Sequence, residues 1–320
     1  MSPWVPVSPC TTARCVDVPM RSAGALRMVL RGLAAVLVVL VGVPLARLVR
    51  GTARRRVTLT WSRALLRALG VRVEVRQGFA FFAGAVPSAE GARPGSVGPA
   101  EGARPGAVGP AEGARPGSVG TRPGETRAAR LVVANHISWL DPLVVASTMP
   151  CRLVAKSEVS TWPVVGGLAA GSGALPIVRD SLLDLPGAVA RIADALRSGE
   201  TVAAFPEGTT WCGRGSGTFR PAVFQAAVDA GVSVTPVAIA YREADGPRTT
   251  APAYVGDDTL AASLLRVIAV RRLVVEVTVL PPVNAADRRE LAGLAEAAVA
   301  SATGRLPLPR HTPASAPALV

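Results

Sequence analysis

The sequence predicts an α/β fold, and three observations carry that prediction. From residue 128 onward, short apolar or alternating runs (Leu131–Ala134, Val154–Ala155, Thr201–Phe205, Val234–Tyr241 and Leu273–Leu280) are interleaved with segments of helical period. Strands that alternate with helices build a sheet with helices on its faces. Hydrophobic residues make up 49% and charged residues 18% of the 320, too apolar for a disordered chain and too charged for one that crosses a membrane many times. The residues best suited to chemistry also stand at strand ends, where sites gather in α/β sheets.

Residues 1–24 mix Pro, Ser, Thr and Cys without periodicity, and Met20 and Met28 are alternative starts, so a disordered leader outside the fold is expected there. Gly32 to Ala46 is then a charge-free run of fifteen residues. At 1.5 Å per residue it spans about 22 Å of a hydrocarbon core about 30 Å thick, short for a clean span. Arg27 and Arg31 on one side, and Arg47, Arg50 and Arg54–Arg56 on the other, can snorkel to lipid headgroups, giving a marginal span or a re-entrant anchor. A secretory signal is the rival reading, but no A-x-A cleavage site follows the run. Residues 59–69 continue as an amphipathic helix whose Arg63 and Arg67 suit anionic lipid; a core-packing helix is the plainer alternative. Val71–Arg76 alternates like a strand and closes a membrane-associating segment over 25–76.

An eleven-residue unit follows, AEGARPGSVGP at 89–99, AEGARPGAVGP at 100–110 and AEGARPGSVG at 111–120. It lacks an apolar seam and carries Pro and Gly, so residues 77–127 are expected to be a flexible insertion rather than a coiled coil. The α/β domain itself is placed at 128–303, with helices near 142–149, 186–198, 221–230, 258–269 and 287–301. In the second of these, Val189, Ile192, Ala193 and Leu196 stand at helical spacing and Gly199 is the stop. Residues 304–320 form a disordered tail.

The net charge of +13 is local. Residues 1–76 hold thirteen Arg against Asp17 and Glu74, whereas residues 131–320 balance sixteen bases with sixteen acids. A single segment is therefore basic, and with no nucleic-acid motif and few aromatics for base stacking, no nucleic-acid partner is expected. The cysteines at 10, 15, 151 and 212 show neither C-x-x-C nor a zinc spacing; they read as reduced and structural, with no metal site. His311 lies in the tail, so histidine chemistry falls to His136.

His136 follows the strand ending in Asn135, and Asp141 comes five residues later in Asn135-His-Ile-Ser-Trp-Leu-Asp141. A histidine at a strand end and a carboxylate at the next helix start can converge, the carboxylate fixing the ring tautomer and stabilising the imidazolium. The alternative is a helix cap, with Asp141 before Pro142 and Ser138-x-x-Asp141 as a capping box. Phe205-Pro-Glu-Gly-Thr209 breaks an apolar strand into a turn. Amides around Gly208 and Thr209 can hold an anionic oxygen there and Glu207 can accept from a polyol, unless it is an ordinary turn. Gly173-Ala-Leu-Pro-Ile-Val-Arg179 sets an arginine just after a predicted strand, suited to phosphate if not merely a surface arginine.

In order and spacing these elements resemble the glycerolipid acyltransferase family, particularly the 1-acylglycerol-3-phosphate (lysophosphatidic acid) acyltransferases. Asn135-His136…Asp141, Gly173…Pro176-Ile177-Val178-Arg179, Phe205-Pro-Glu-Gly-Thr209 and Val234-Thr-Pro236-Val237-Ala-Ile239 match its four blocks, and Lys156-Ser-Glu158…Pro163-Val-Val-Gly166 resembles the stretch between the first two. The likeness covers about residues 128–283. It implies a mixed β-sheet flanked by helices and a direct acyl transfer giving phosphatidic acid. His136 would deprotonate the acceptor hydroxyl and Asp141 would orient it. Arg179 with Lys156 would bind phosphate, and Glu207, Gly208 and Thr209 would position glycerol or the oxyanion. The implied partners are a lysophospholipid, anionic membrane lipid and either acyl-CoA or acyl carrier protein, with no cofactor, at the cytoplasmic face of the plasma membrane. A Ser-His-Asp hydrolase fits poorly, since Gly213-Arg-Gly-Ser-Gly217 sets Ser216 one place out of register for G-x-S-x-G. A non-enzymatic membrane adaptor would leave His136, Asp141 and Phe205–Thr209 unexplained, and another acceptor, such as glycerol 3-phosphate or an amino-acid lipid, would keep the chemistry.

Overall fold

The computed structural model describes residues 6–49, 51–78, 129–158, 173–178 and 181–304. Among these residues seven strands form one sheet: β1 (Val71–Gln77), β2 (Arg130–Ala134), β3 (Arg152–Lys156), β4 (Leu175–Ile177), β5 (Thr201–Ala204), β6 (Val234–Glu243) and β7 (Leu273–Val279). Their order is β1-β7-β6-β2-β5-β3-β4. The sheet is mixed, as expected. β6, β2, β5, β3 and β4 run parallel, while β7 is antiparallel to β6 and carries β1 parallel to itself.

β2 is central, and its residues Leu131–Ala134 are all apolar and buried because both its faces are covered. Val132 and Ala134 belong to one core cluster and Leu131 and Val133 to the other, the period of two that a strand imposes. The first cluster takes side chains from α2 (Ala25–Leu48), α3 (Gly51–Ala68), α4 (Asp141–Thr148) and α7 (Leu260–Ala269). The second takes them from α5 (Leu185–Arg197), α6 (Ala222–Ala230) and α8 (Arg288–Thr303). Phe224 of α6 is fully buried there, and truncating such a residue to alanine typically costs about 3–5 kcal/mol. The sheet thus has helices on each face, and every strand and helix expected within 128–303 is present to within a few residues.

The N-terminal region departs from expectation. Residues 6–24 pack on the domain instead of trailing from it, with a four-residue helix α1 (Thr12–Cys15) and buried Cys10 and Ala23. The bonds that hold them reach far along the chain. The Met20 and Arg21 amides donate to Glu243, Asp17 exchanges bonds with Thr250, and Ala23 donates to the Ala269 carbonyl. The fifteen-residue run is part of a longer helix, since α2 has 24 residues and includes Arg27, Arg31 and Pro44. Its stretch Ala25–Leu45 has a mean hydropathy of 2.4 and is long and apolar enough to cross a membrane. Arg31 does not snorkel. Its guanidinium caps the end of α7 by donating to the Ile268, Val270 and Arg271 carbonyls at 2.7–2.9 Å. α3 returns antiparallel to α2 so closely that a Cβ on Gly42 would overlap the Trp61 indole, whose Nε1 donates to the Val38 carbonyl at 2.9 Å. Leu65, Leu66 and Leu69 at its end are core, so this helix packs inward as well as presenting Arg63 and Arg67. The insertion at 79–128 and the tail at 305–320 lie outside the described residues.

Candidate active site

The parallel strands share one edge at their C-terminal ends. His136 follows β2, the turn Phe205–Thr209 follows β5, and Lys156 ends β3 there. Asp141 opens α4, but its carboxylate turns back toward β2. Oδ2 accepts from the Ile137 amide at 2.5 Å, the Ser138 amide at 2.8 Å and His136 Nδ1 at 2.9 Å, and Oδ1 accepts from the Tyr241 hydroxyl at 2.6 Å. Asp141 is not the N-cap residue, a position Leu140 holds, but its bond from the Ser138 amide is the return half of the Ser138-x-x-Asp141 box, so one carboxylate serves both the helix start and the histidine. Asp141 is 0% exposed, and four donors make a buried carboxylate tolerable without a cation beside it. Burial, then the Asp141 charge, pushes the Tyr241 hydroxyl well above its ordinary pKa, so it remains a donor.

These bonds define the histidine. An ionised carboxylate only accepts, so Nδ1 carries the proton and Nε2 is left as the basic nitrogen. The His136 side chain is 14% exposed, and its ring stacks on Phe205 with centroids 4.3 Å apart. The turn after β5 grips the main chain of the same residue: Glu207 Oε2 accepts from the His136 amide and the Trp211 amide donates to its carbonyl, both at 2.8 Å. Asn135 bridges the strands from the other side, exchanging two bonds with Ile239 of β6 at 2.8 and 3.0 Å. Imidazole, carboxylate and both neighbouring strands form one bonded unit, with a partly exposed imidazole at the sheet edge.

The sequence profile of the Acyltransferase family matches residues 120–240. Over 179 residues the chain is 38% identical to the lyso-ornithine lipid O-acyltransferase of Pseudomonas aeruginosa, covering 54% of this chain and 67% of that one. It is 35% identical over 160 residues to the 1-acyl-sn-glycerol-3-phosphate acyltransferase of Neisseria gonorrhoeae, covering 50% of this chain and 62% of that relative's length. This chain belongs to the glycerolipid acyltransferase family. The fold agrees with that of the 1-acyl-sn-glycerophosphate acyltransferase PlsC from Thermotoga maritima, with a TM-score of 0.55 at 17% identity over 87% of this chain and 94% of that one.

Among the described residues the structure brings together His136, Asp141, Glu207 and Gly208, and gives the last two bonds within the fold. Glu207, expected to meet a polyol, is 3% exposed and clamps the His136 main chain. Gly208, expected to offer its amide to an oxyanion, instead donates to the Phe205 carbonyl at 3.1 Å and closes the turn. It must be glycine on two counts: φ is +73°, and a Cβ would meet the Pro6 ring at 2.5 Å. Thr209 is half-buried in the same turn, and the next residue, Thr210, bonds to the Tyr254 carbonyl. Lys156 pairs with Glu158 at 2.7 Å, both about half exposed. Arg179 lies outside the described residues. Sequence reading assigned no role to Asn135, Tyr241 or Trp211. A signal for Tyr241 existed, because Val237, Ile239 and Tyr241 repeat at intervals of two on the β6 face that covers His136 and Asp141.

Proposed function

We propose that the protein transfers a fatty acyl group from an acyl thioester, acyl-CoA or acyl carrier protein, to the free hydroxyl of lysophosphatidic acid, giving phosphatidic acid for phospholipid synthesis. His136 Nε2 takes the hydroxyl proton as the acceptor oxygen attacks the thioester carbonyl. The tetrahedral intermediate collapses with loss of the thiolate, and the imidazolium returns the proton to that sulfur. Asp141 holds the tautomer and stabilises the transient imidazolium. The thioester is already activated, so no covalent acyl-enzyme is needed. The observation carrying this reading is the His136 ring, oriented by a fully bonded buried carboxylate and partly exposed at the sheet edge. Arg179 and Lys156, which follow or end the neighbouring parallel strands, would hold the acceptor phosphate. α2, α3 and their arginines would hold the enzyme on the cytoplasmic face of the plasma membrane, where soluble donor and lipid acceptor meet.

The longer and more identical match to a lyso-ornithine lipid acyltransferase supports a second acceptor, an amino-acid lipid without that phosphate. Assays on purified protein should separate the two. With lysophosphatidic acid as acceptor, Arg179→Ala should raise the acceptor KM more than the thioester KM. Turnover on lyso-ornithine lipid alone would reassign the acceptor, and no transfer from either donor to either lipid would overturn the proposal.

A further inference from the structure

Three of the four cysteines meet where the N-terminal strap crosses the active-site loop. The sulfurs of Cys10, Cys15 and Cys212 all lie within 4.8 Å of one another. Cys10 and Cys212 are buried, Cys15 is half-buried, and none is in a disulfide. The sequence hides this group because two members precede α2 and the third follows the Glu207 turn. The strap is seated by other contacts as well: Pro6 lies against Gly208, and Arg214 pairs with Asp17 and donates to the Arg14 carbonyl.

We propose that Cys10, Cys15 and Cys212 bind a zinc ion that staples residues 6–24 to the loop carrying Glu207 and Trp211. Three sulfurs this close have a common centre no more than about 2.8 Å from each, so a shift of about 0.5 Å per atom reaches the usual Zn–S distance of about 2.3 Å. Sulfur ligands select a thiophilic ion over magnesium or calcium, which prefer oxygen. A disulfide would engage two of the sulfurs and strand the third, whereas a cation engages all three. Binding releases the three thiol protons, and the half-buried side at Cys15 leaves the fourth position to water. Three thiolates on a divalent ion carry one net negative charge, next to Arg14 and Arg214 in the chain. The ion is structural, and no step of acyl transfer passes through it.

The test uses the full-length protein. Purified wild type should retain one zinc per chain after desalting. After stripping with a chelator, it should bind Co²⁺ with a thiolate-to-cobalt charge-transfer band. Cys15→Ser and Cys212→Ser should lose both signals, and Cys151→Ser, outside the group, should keep both. Stripping should lower the Tm of wild type but leave that of Cys15→Ser unchanged. If Cys212→Ser does not fold, the half-exposed Cys15→Ser and the wild-type spectrum decide the matter. Wild type with neither stoichiometric zinc nor a cobalt band, an undiminished band in Cys15→Ser, or a disulfide among these three in the unreduced protein would each overturn the assignment.

Discussion

The sheet edge at His136 and the outer surface of α2 are built on opposite principles. At the edge, one carboxylate takes four donors and His136 is held through its ring, its amide and its carbonyl. On α2, Leu26, Leu30, Leu33, Leu37 and Leu40 lie bare, with Arg31 and the Trp61 bond fixing the helix from its other side. The first region works through direction, so the loss of one atom is felt in full. The second works through area, so its contributions add and no single residue decides the outcome.

The directional region should therefore break first and hardest. His136→Ala should lower kcat/KM for acyl transfer by ~10²–10⁴, the usual value of a general base. Asp141→Asn, nearly the same shape, should approach that loss by freeing the tautomer. Circular dichroism and Tm should show both variants folded. Retention of more than half the wild-type activity by His136→Ala would end the proposed mechanism.

Both halves of this comparison were partly legible in the sequence. β2 was readable because Leu131–Ala134 are all apolar, and α5 because Val189, Ile192, Ala193 and Leu196 keep helical spacing. His136 and Asp141 were readable because their spacing bridges a strand end and a helix start. Glu207 and Gly208 were placed in the right turn, but their bonds to the His136 amide and the Phe205 carbonyl were not legible, since a carboxylate and a glycine in a turn read alike whether they face inward or outward. The strap left no trace because its order comes from Glu243, Thr250 and Cys212, all far along the chain, and not from any local period.

The areal region should yield in increments. Removing residues 1–76 would be a poor test of anchoring, because Leu66, Leu69 and Val71 are core. Leu33→Ser with Leu37→Ser changes only the bare face. At about 1.5 kcal/mol or more for each leucine buried in lipid, the pair should weaken partitioning into anionic vesicles roughly a hundredfold, and each single variant roughly tenfold. Sedimentation of the double variant equal to wild type, in low and high salt, would move the membrane-facing surface elsewhere.

A smaller effect should appear where the strap meets the domain. Burial would raise the Asp17 pKa, but bonds from Thr250 and the Arg214 charge outweigh it and hold it below the ordinary 3.8. A carboxyl depressed in the folded state adds stability that is fully present above its unfolded pKa and disappears as pH falls through the folded one. Asp17→Asn should thus cost under about 1 kcal/mol at neutral pH for so exposed a pair. Its Tm deficit against wild type should be constant from about pH 5 to 8 and shrink below about pH 4. A deficit that persists undiminished in acid would mean the charge is not what seats the strap.

The smallest change should come from deleting residues 89–120. The insertion joins β1 to β2, which run in opposite directions with β7 and β6 between them. Gln77 and Arg130 therefore lie at the same edge of the sheet, about 14 Å apart at about 4.8 Å per strand. This is the edge opposite His136. The twenty residues that remain can reach about 66 Å, so the shortened connection is not strained. A loop shortened by more than half closes more easily by about 0.6–1 kcal/mol, and the repeat has no apolar seam whose loss would offset that gain. Activity should stay within about twofold of wild type and Tm should hold or rise slightly, as a folded protein with an unchanged backbone at both attachment points requires. A folded but inactive deletion variant would show that the repeat takes part in acyl transfer, and would undo the expectation drawn from its attachment at Gln77 and Arg130.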